Sequence, residues 1–172
     1  MRVSGHGQAG LTLVEMVGGA AVLAMAVVSV LLAFLSQAAL NEHSRNLYLA
    51  ANDASRVLEQ IQQQNGAGEC TSIDVTPPGA FASWDAWLAD TLANGGAGGK
   101  SVPRTSAAEE LVVVTSTGVD PVEVTIAVCW HHRQRTFGEC DWNGAALTPN
   151  DADANGIITS PAALSTFITC QG

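Results

Sequence analysis

The sequence predicts an α+β protein in which one long N-terminal helix packs on a small antiparallel β-sheet. Three observations carry this: an apolar run over residues 11–40, a helical spacing of apolar residues that continues to about Gln64, and two downstream segments that alternate with period two. The 172-residue chain is 47% hydrophobic and 13% charged, too apolar for a disordered or collagen-like sequence and long enough for about one ordinary domain. Sixteen acidic against seven basic residues give a net charge of −9. That balance argues against general nucleic-acid binding, because such proteins neutralise phosphates with Lys and Arg.

Between Leu11 and Leu40 the sole ionisable side chain is Glu15, no proline intervenes, and Met16 to Leu35 supplies 20 residues without a charge. At about 1.5 Å per residue, a helix of this kind crosses a hydrocarbon core of about 30 Å. The run exceeds the ~7–15-residue apolar core of a secretory signal peptide, although Ala38-Ala39 before Leu40 keeps that competitor open. Arg2 is the one fixed positive charge of the polar leader, residues 1–10, so the positive-inside rule holds that end in the cytoplasm and the remainder outside. Glu15 does not fit a plain anchor. Its carboxylate either snorkels to the interface or pairs with a positive charge, and in a chain cut before Leu11 the nearest such charge is the new α-amino group, its own or a neighbour's. Gly18-Gly19 reads as a close-packing site or a soft point.

After the apolar run, Leu47, Ala51, Ala54, Leu58 and Ile61 recur at helical spacing, with Asn46, Asn52, Arg56, Glu59 and Gln63 on other faces. This amphipathic continuation, residues 41–65, is expected to end at Gly66 or Gly68 and to bury one side in a head formed by residues 66–172. Within the head, Trp84, Trp87, Leu88 and Leu92 suggest a short helix ended by the glycine-rich stretch 94–99. Leu111–Thr115 and Val122–Trp130 read as antiparallel strands joined by a turn at Gly118-Val119-Asp120-Pro121, the second placing Val122, Val124, Ile126, Val128 and Trp130 on one face. Residues 164–169 offer a further strand.

The candidate chemistry is sparse. His131, His132, Arg133 and Arg135 read as a solvated hairpin tip, with DNA contact as the minor alternative; adjacent histidines on a strand point to opposite faces, and no Cys or carboxylate spacing completes a zinc set. Lys100 follows glycines but lacks the context of a phosphate-binding loop. Asp151-x-Asp153-x-Asn155-Gly156 has the first half of a calcium loop, yet Ala162 stands where an EF-hand needs its bidentate Glu. An Asp/Asn turn is favoured there, with an irregular calcium site as the weaker reading, and no other cofactor is implied. Cys70, Cys129, Cys140 and Cys170 all fall in the part expected outside the cytoplasm, where disulfides persist. Of the three pairings open to four cysteines, we favour Cys129–Cys140, stapling the hairpin region, with Cys70–Cys170 tying the chain end to the segment after the long helix. With no nucleophile–base pair, metal set or cofactor fingerprint, no enzymatic activity is expected.

Gly10-Leu11-Thr12-Leu13-Val14-Glu15, followed by the uncharged apolar stretch, resembles the class III signal of type IV pilins and pseudopilins, in which a short leader ends in Gly and Glu is the fifth mature residue. The resemblance implies cleavage after Gly10 by a prepilin peptidase, N-methylation of Leu11, and a role for Glu15 in assembly through the amino group of Leu11 in an adjacent subunit. It also implies that residues 11–40 serve first as a membrane helix and then as filament core. Leu11 is a departure, since the family most often has Phe there. Removing the leader takes away Arg2 and leaves a net charge of −10. The glycine turn and the strand Val124-x-Ile126-x-Val128-Cys129-Trp130 look like those of minor pilins of the PilV type. What the resemblance implies is therefore the type IV pilin fold and a minor pilin that initiates, caps or modifies a filament used in adhesion, twitching motility or DNA uptake. A minor pseudopilin of a type II secretion system is the alternative, and a plain membrane-anchored binding module the third reading. The implied partners are other pilin subunits, prepilin peptidase, an inner-membrane assembly platform and membrane lipid. The implied location is the inner membrane with the head in the periplasm, then an extracellular pilus.

Overall fold

The computed structural model describes residues 12–66, 72–92, 99–102 and 105–169. Helix α1 runs over Leu13–Gly66, and a second helix, α2, spans Trp84–Ala89. Among the described residues, a 3-10 turn, Ala107–Glu109, leads into six strands: β1 Glu110–Gly118, β2 Val122–His132, β3 Arg135–Phe137, β4 Cys140–Trp142, β5 Leu147–Pro149 and β6 Ala162–Ile168. The α+β class and the long N-terminal helix are thus observed.

The chain divides into two units, residues up to His43 and residues from Ser44 onward. The first consists of the N-terminal part of α1, in which residues 12–41 are all exposed. The second holds the core, and it includes residues 44–66 of α1, most of the amphipathic continuation expected to bury one side in the head. Residues 44–66 belong there because Asn46, Ala50, Asp53, Ala54, Val57 and Ile61 are buried against the other head elements. This buried face is turned by about one residue from the expected stripe: Leu47, Ala51 and Leu58 sit half-buried at its border. Ala54 and Ile61 of the expected stripe are fully buried, and two polar residues, Asn46 and Asp53, share the face with them, so a count of apolar positions alone finds only part of it.

Strand β2 is the centre of the main sheet. It pairs antiparallel with β1 from Glu110↔Trp130 to Gly118↔Val122, and on its other side with β6 and, at its C-terminal end, with β3. Even-numbered β2 residues Val124, Ile126, Val128 and Trp130 are fully buried in the cluster that α1 enters. The expected face is therefore the helix side of the sheet. The opposite face is not left to solvent: Ala127 and Cys129 are covered by Cys140, Leu147 and Ile158, with Trp142 packed alongside. The β4–β5 hairpin supplies this cover together with Ile158 from the segment before β6, and Cys129 and Cys140 are joined in a disulfide, as expected. Cys70 and Cys170 lie outside the described residues, as does 93–98, which contains most of the glycine-rich stretch.

Helix α2 begins where the Ser83 hydroxyl accepts the N–H of Ala86 at 3.1 Å, an N-cap that satisfies one orphan donor. Trp84, Trp87 and Leu88 are buried on one side, and the Trp84 indole donates to the Val75 carbonyl at 2.8 Å. The helix stops at Ala89, and Leu92, expected within it, is exposed beyond a turn in which Asp90 accepts the Leu92 N–H.

Candidate functional site

The feature of the first unit that calls for a partner is its apolar surface. Leu13, Val14, Met16 and Val17 are between 62% and 79% exposed, and Leu23, Met25, Leu31, Leu32, Phe34 and Leu35 continue the surface on the same scale. A contiguous apolar patch of this kind is not tolerated in water and marks a membrane or protein contact. The helix is long and apolar enough to cross a bilayer by length and composition. Its hydroxyls fit such a setting: Ser29 donates to the Met25 carbonyl at 2.9 Å and Ser36 to the Leu32 carbonyl at 3.0 Å, so neither needs a partner from solvent.

Gly10 and Leu11 lie outside the described residues. Glu15 is described, and it has a local partner that the apolar pattern does not reveal. The backbone N–H and the hydroxyl of Thr12 donate to Glu15 Oε2 at 3.0 and 3.1 Å, while Thr12 Oγ1 accepts the Glu15 N–H at 3.4 Å. This is a reciprocal capping box: Thr12 precedes the first helical residue and Glu15 is the third residue of the helix. The Thr-x-x-Glu spacing is its sequence signal. In the single chain, Glu15 closes the first turn of its own helix.

The remaining candidates make local contacts. Both carboxylate oxygens of Asp151 accept backbone N–H groups, from Asn155 at 3.2 Å and Gly156 at 2.6 Å, and Asn155 Oδ1 accepts the Ile157 N–H at 2.7 Å. Asp153 is exposed, and among the described residues no three His, Cys, Asp or Glu side chains converge as a metal set. The segment forms an Asx-type turn with Ala154 and Gly156 at positive φ. His131 and His132 close β2 on opposite faces; His131 stacks on Trp142 with centroids 4.6 Å apart. Arg133 and Gln134, with φ of 48° and 63°, form the two-residue turn into Arg135 of β3.

A buried polar cluster, which no motif in the sequence announces, fastens α1 to the rest of the head. Asp53 is fully buried, with Oδ2 accepting the Ser101 N–H at 2.6 Å and Oδ1 accepting the Ser101 hydroxyl at 2.7 Å and Arg56 at 3.0 Å. Arg56 also donates to the Gly99 carbonyl at 2.8 Å. The next N–H along, from Val102, goes to Glu110 Oε2 at 3.0 Å, and Glu110 is 1% exposed. Lys100 is held by Asp85 Oδ1 at 2.6 Å and by the carbonyls of Ala107 and Glu110. Residues 99–102 thereby form a strap between α1, α2 and β1. The one sequence clue is Asp53 itself, placed between Ala50 and Val57 at helical spacing.

Compared with family models, curated proteins and solved structures, the chain matches none.

Proposed function

We propose that the chain is a minor pilin subunit of a type IV pilus, held in the inner membrane by residues 11–40 with its head in the periplasm and then drawn into a filament. The observation that carries the reading is the Gly10–Glu15 segment placed directly before an apolar helix whose surface is bare over residues 12–41. That surface needs lipid or other apolar helices around it, and a helical subunit that exchanges the first for the second meets both requirements. Glu15, capped by Thr12 in the single chain, gains an α-amino partner when subunits stack; a charge leaving the bilayer for a packed core is tolerable only when matched. The α+β head, with α1 laid on an antiparallel sheet, supports the pilin fold in layout.

The test is mass spectrometry of the N-terminal peptide from purified surface filaments and from the membrane fraction of the same cells. N-methylated Leu11 in the filaments is the expected result. The same terminus confined to membranes would assign the chain to a secretion pseudopilus instead. A terminus that retains residues 1–10 in both fractions would overturn the family reading.

A further inference from the structure

Glu110 is buried with only one of its carboxyl oxygens satisfied. Its Oε2 accepts the Val102 N–H at 3.0 Å, but its Oε1 is buried and receives no hydrogen bond. An ionised carboxylate needs donors on both oxygens when water is excluded, and a bare buried acceptor is rare. The nearest acid makes matters worse for an anion. Asp53 and Glu110 take the N–H groups of the consecutive residues Ser101 and Val102, and the two carboxyl groups interact directly, within side-chain hydrogen-bond reach of each other. Asp53 already has three donors, from the Ser101 backbone, the Ser101 hydroxyl and Arg56, which is the full dress of a carboxylate. The other cation at the seam is engaged: Lys100 directs its ammonium protons to Asp85 and two backbone carbonyls. Asp85 in α2 also takes the Val112 N–H, and Glu109 in the 3-10 turn takes that of Thr105. Among the described residues, no cation remains at the seam to neutralise a second buried carboxylate.

We propose that Glu110 holds a proton in the closed seam, directed toward Asp53, and that its release opens the strap at residues 99–102, making the seam between α1 and β1 responsive to pH. A proton on Glu110 turns the bare oxygen into a donor toward Asp53 and removes the like-charge contact at once. Burial, followed by the charge of Asp53, pushes the Glu110 carboxyl up to about 9 against the small opposing pull of the Val102 N–H and Lys100. The folded strap therefore keeps a proton that the opened strap, with Glu110 in water, releases above an ordinary Glu value near 4.3. Between these two limits the closed form binds one proton more than the open form, so closure weakens as pH rises, by about tenfold per pH unit, and levels off above the folded value. The inference concerns the head alone and holds whether or not α1 enters a filament.

Amide hydrogen exchange on the full-length oxidised chain in detergent micelles tests it, with rates at Ser101 and Val102 corrected for intrinsic pH dependence. Between pH 5.5 and 8.5 protection should fall about tenfold per unit in the wild type and stay level in Glu110→Gln, whose amide supplies the donor without a titrating proton. A level profile in the wild type, or a slope that persists in Glu110→Gln, overturns the proposal. Infrared spectroscopy of the wild type at pH 7 gives a readout that does not depend on the variant folding. A protonated carboxylic acid band that resists deuterium exchange and vanishes at high pH is expected, and its absence would also overturn the proposal.

Discussion

At Gly138 the backbone φ is +93°, and a Cβ would come within 2.7 Å of the Cys129 sulfur and 3.1 Å of Ser160 Cβ. Two separate obstacles meet there, since left-handed backbone strains any L side chain and the disulfide leaves no room for one. Gly144 separates the two effects: its φ is +96°, but nothing lies within 4 Å of a Cβ. We expect Gly144→Ala to cost about 1 kcal/mol from backbone alone and Gly138→Ala to cost at least about 2 kcal/mol more, because an overpacked site adds to it. Urea unfolding of the full chain in detergent measures both, and equal losses would mean that the β2–β4 contact yields freely. The same scale explains what the sequence concealed. Asp53 is legible as a polar residue on a helix, but its burial depends on Ser101 and Arg56, one of them 48 positions away. No local pattern contains that information. By contrast, Thr12 and Glu15 are three residues apart, and their capping box is open to direct reading.

Elements long enough to show a period are readable, and β2 remains so although both its faces are covered, because its larger apolar residues Val124, Ile126, Val128 and Trp130 all lie on the helix side. The β1–β2 hairpin falls where alternation and the Gly118–Pro121 turn place it, and β6 lies within two residues of its expected start. The short strands β3, β4 and β5, three residues each, are too brief to show a period, so the cover over Ala127 and Cys129 has no signature in the sequence. At the other end of the chain, the start of α1 carries the clearest test of the assembly role. Gln can replace Glu in a capping box, whereas Val cannot. Glu15→Gln should therefore keep the first turn of α1 while losing the charge, and Glu15→Val should lose both. If the charge sets register between subunits, both variants insert in the membrane and lose their leader normally, yet enter filaments at most a tenth as well as wild type, a loss of about 1.4 kcal/mol or more per contact. Immunoblots of sheared filaments against membranes decide it. Normal incorporation of Glu15→Gln would show that the cap, rather than the charge, is what matters.

At the scale of the whole molecule, the two units make opposite demands on solvent. Residues 12–41 expose their apolar side chains, whereas the unit from Ser44 onward buries Ala50, Ala54, Val57 and Ile61 of α1 beneath the sheet. A fragment beginning at Ser44 keeps every buried α1 residue and discards the bare surface, so it should remain monomeric in water and unfold in one cooperative step. A fragment beginning at Ala67 loses the helix altogether. Val57 and Ile61 alone contribute about 1.5–3 kcal/mol each by burial, and their removal also uncovers Val124, Ile126 and Val128 and strands Ser101, which Asp53 holds. Set against a net stability of about 5–15 kcal/mol for an ordinary domain, that loss leaves no stable fold. Thermal unfolding followed by circular dichroism, with sedimentation in the absence of detergent, compares the two fragments. A cooperative transition from both would mean that α1 lies on the head without holding it together; a transition from neither would mean that the head depends on residues before Ser44.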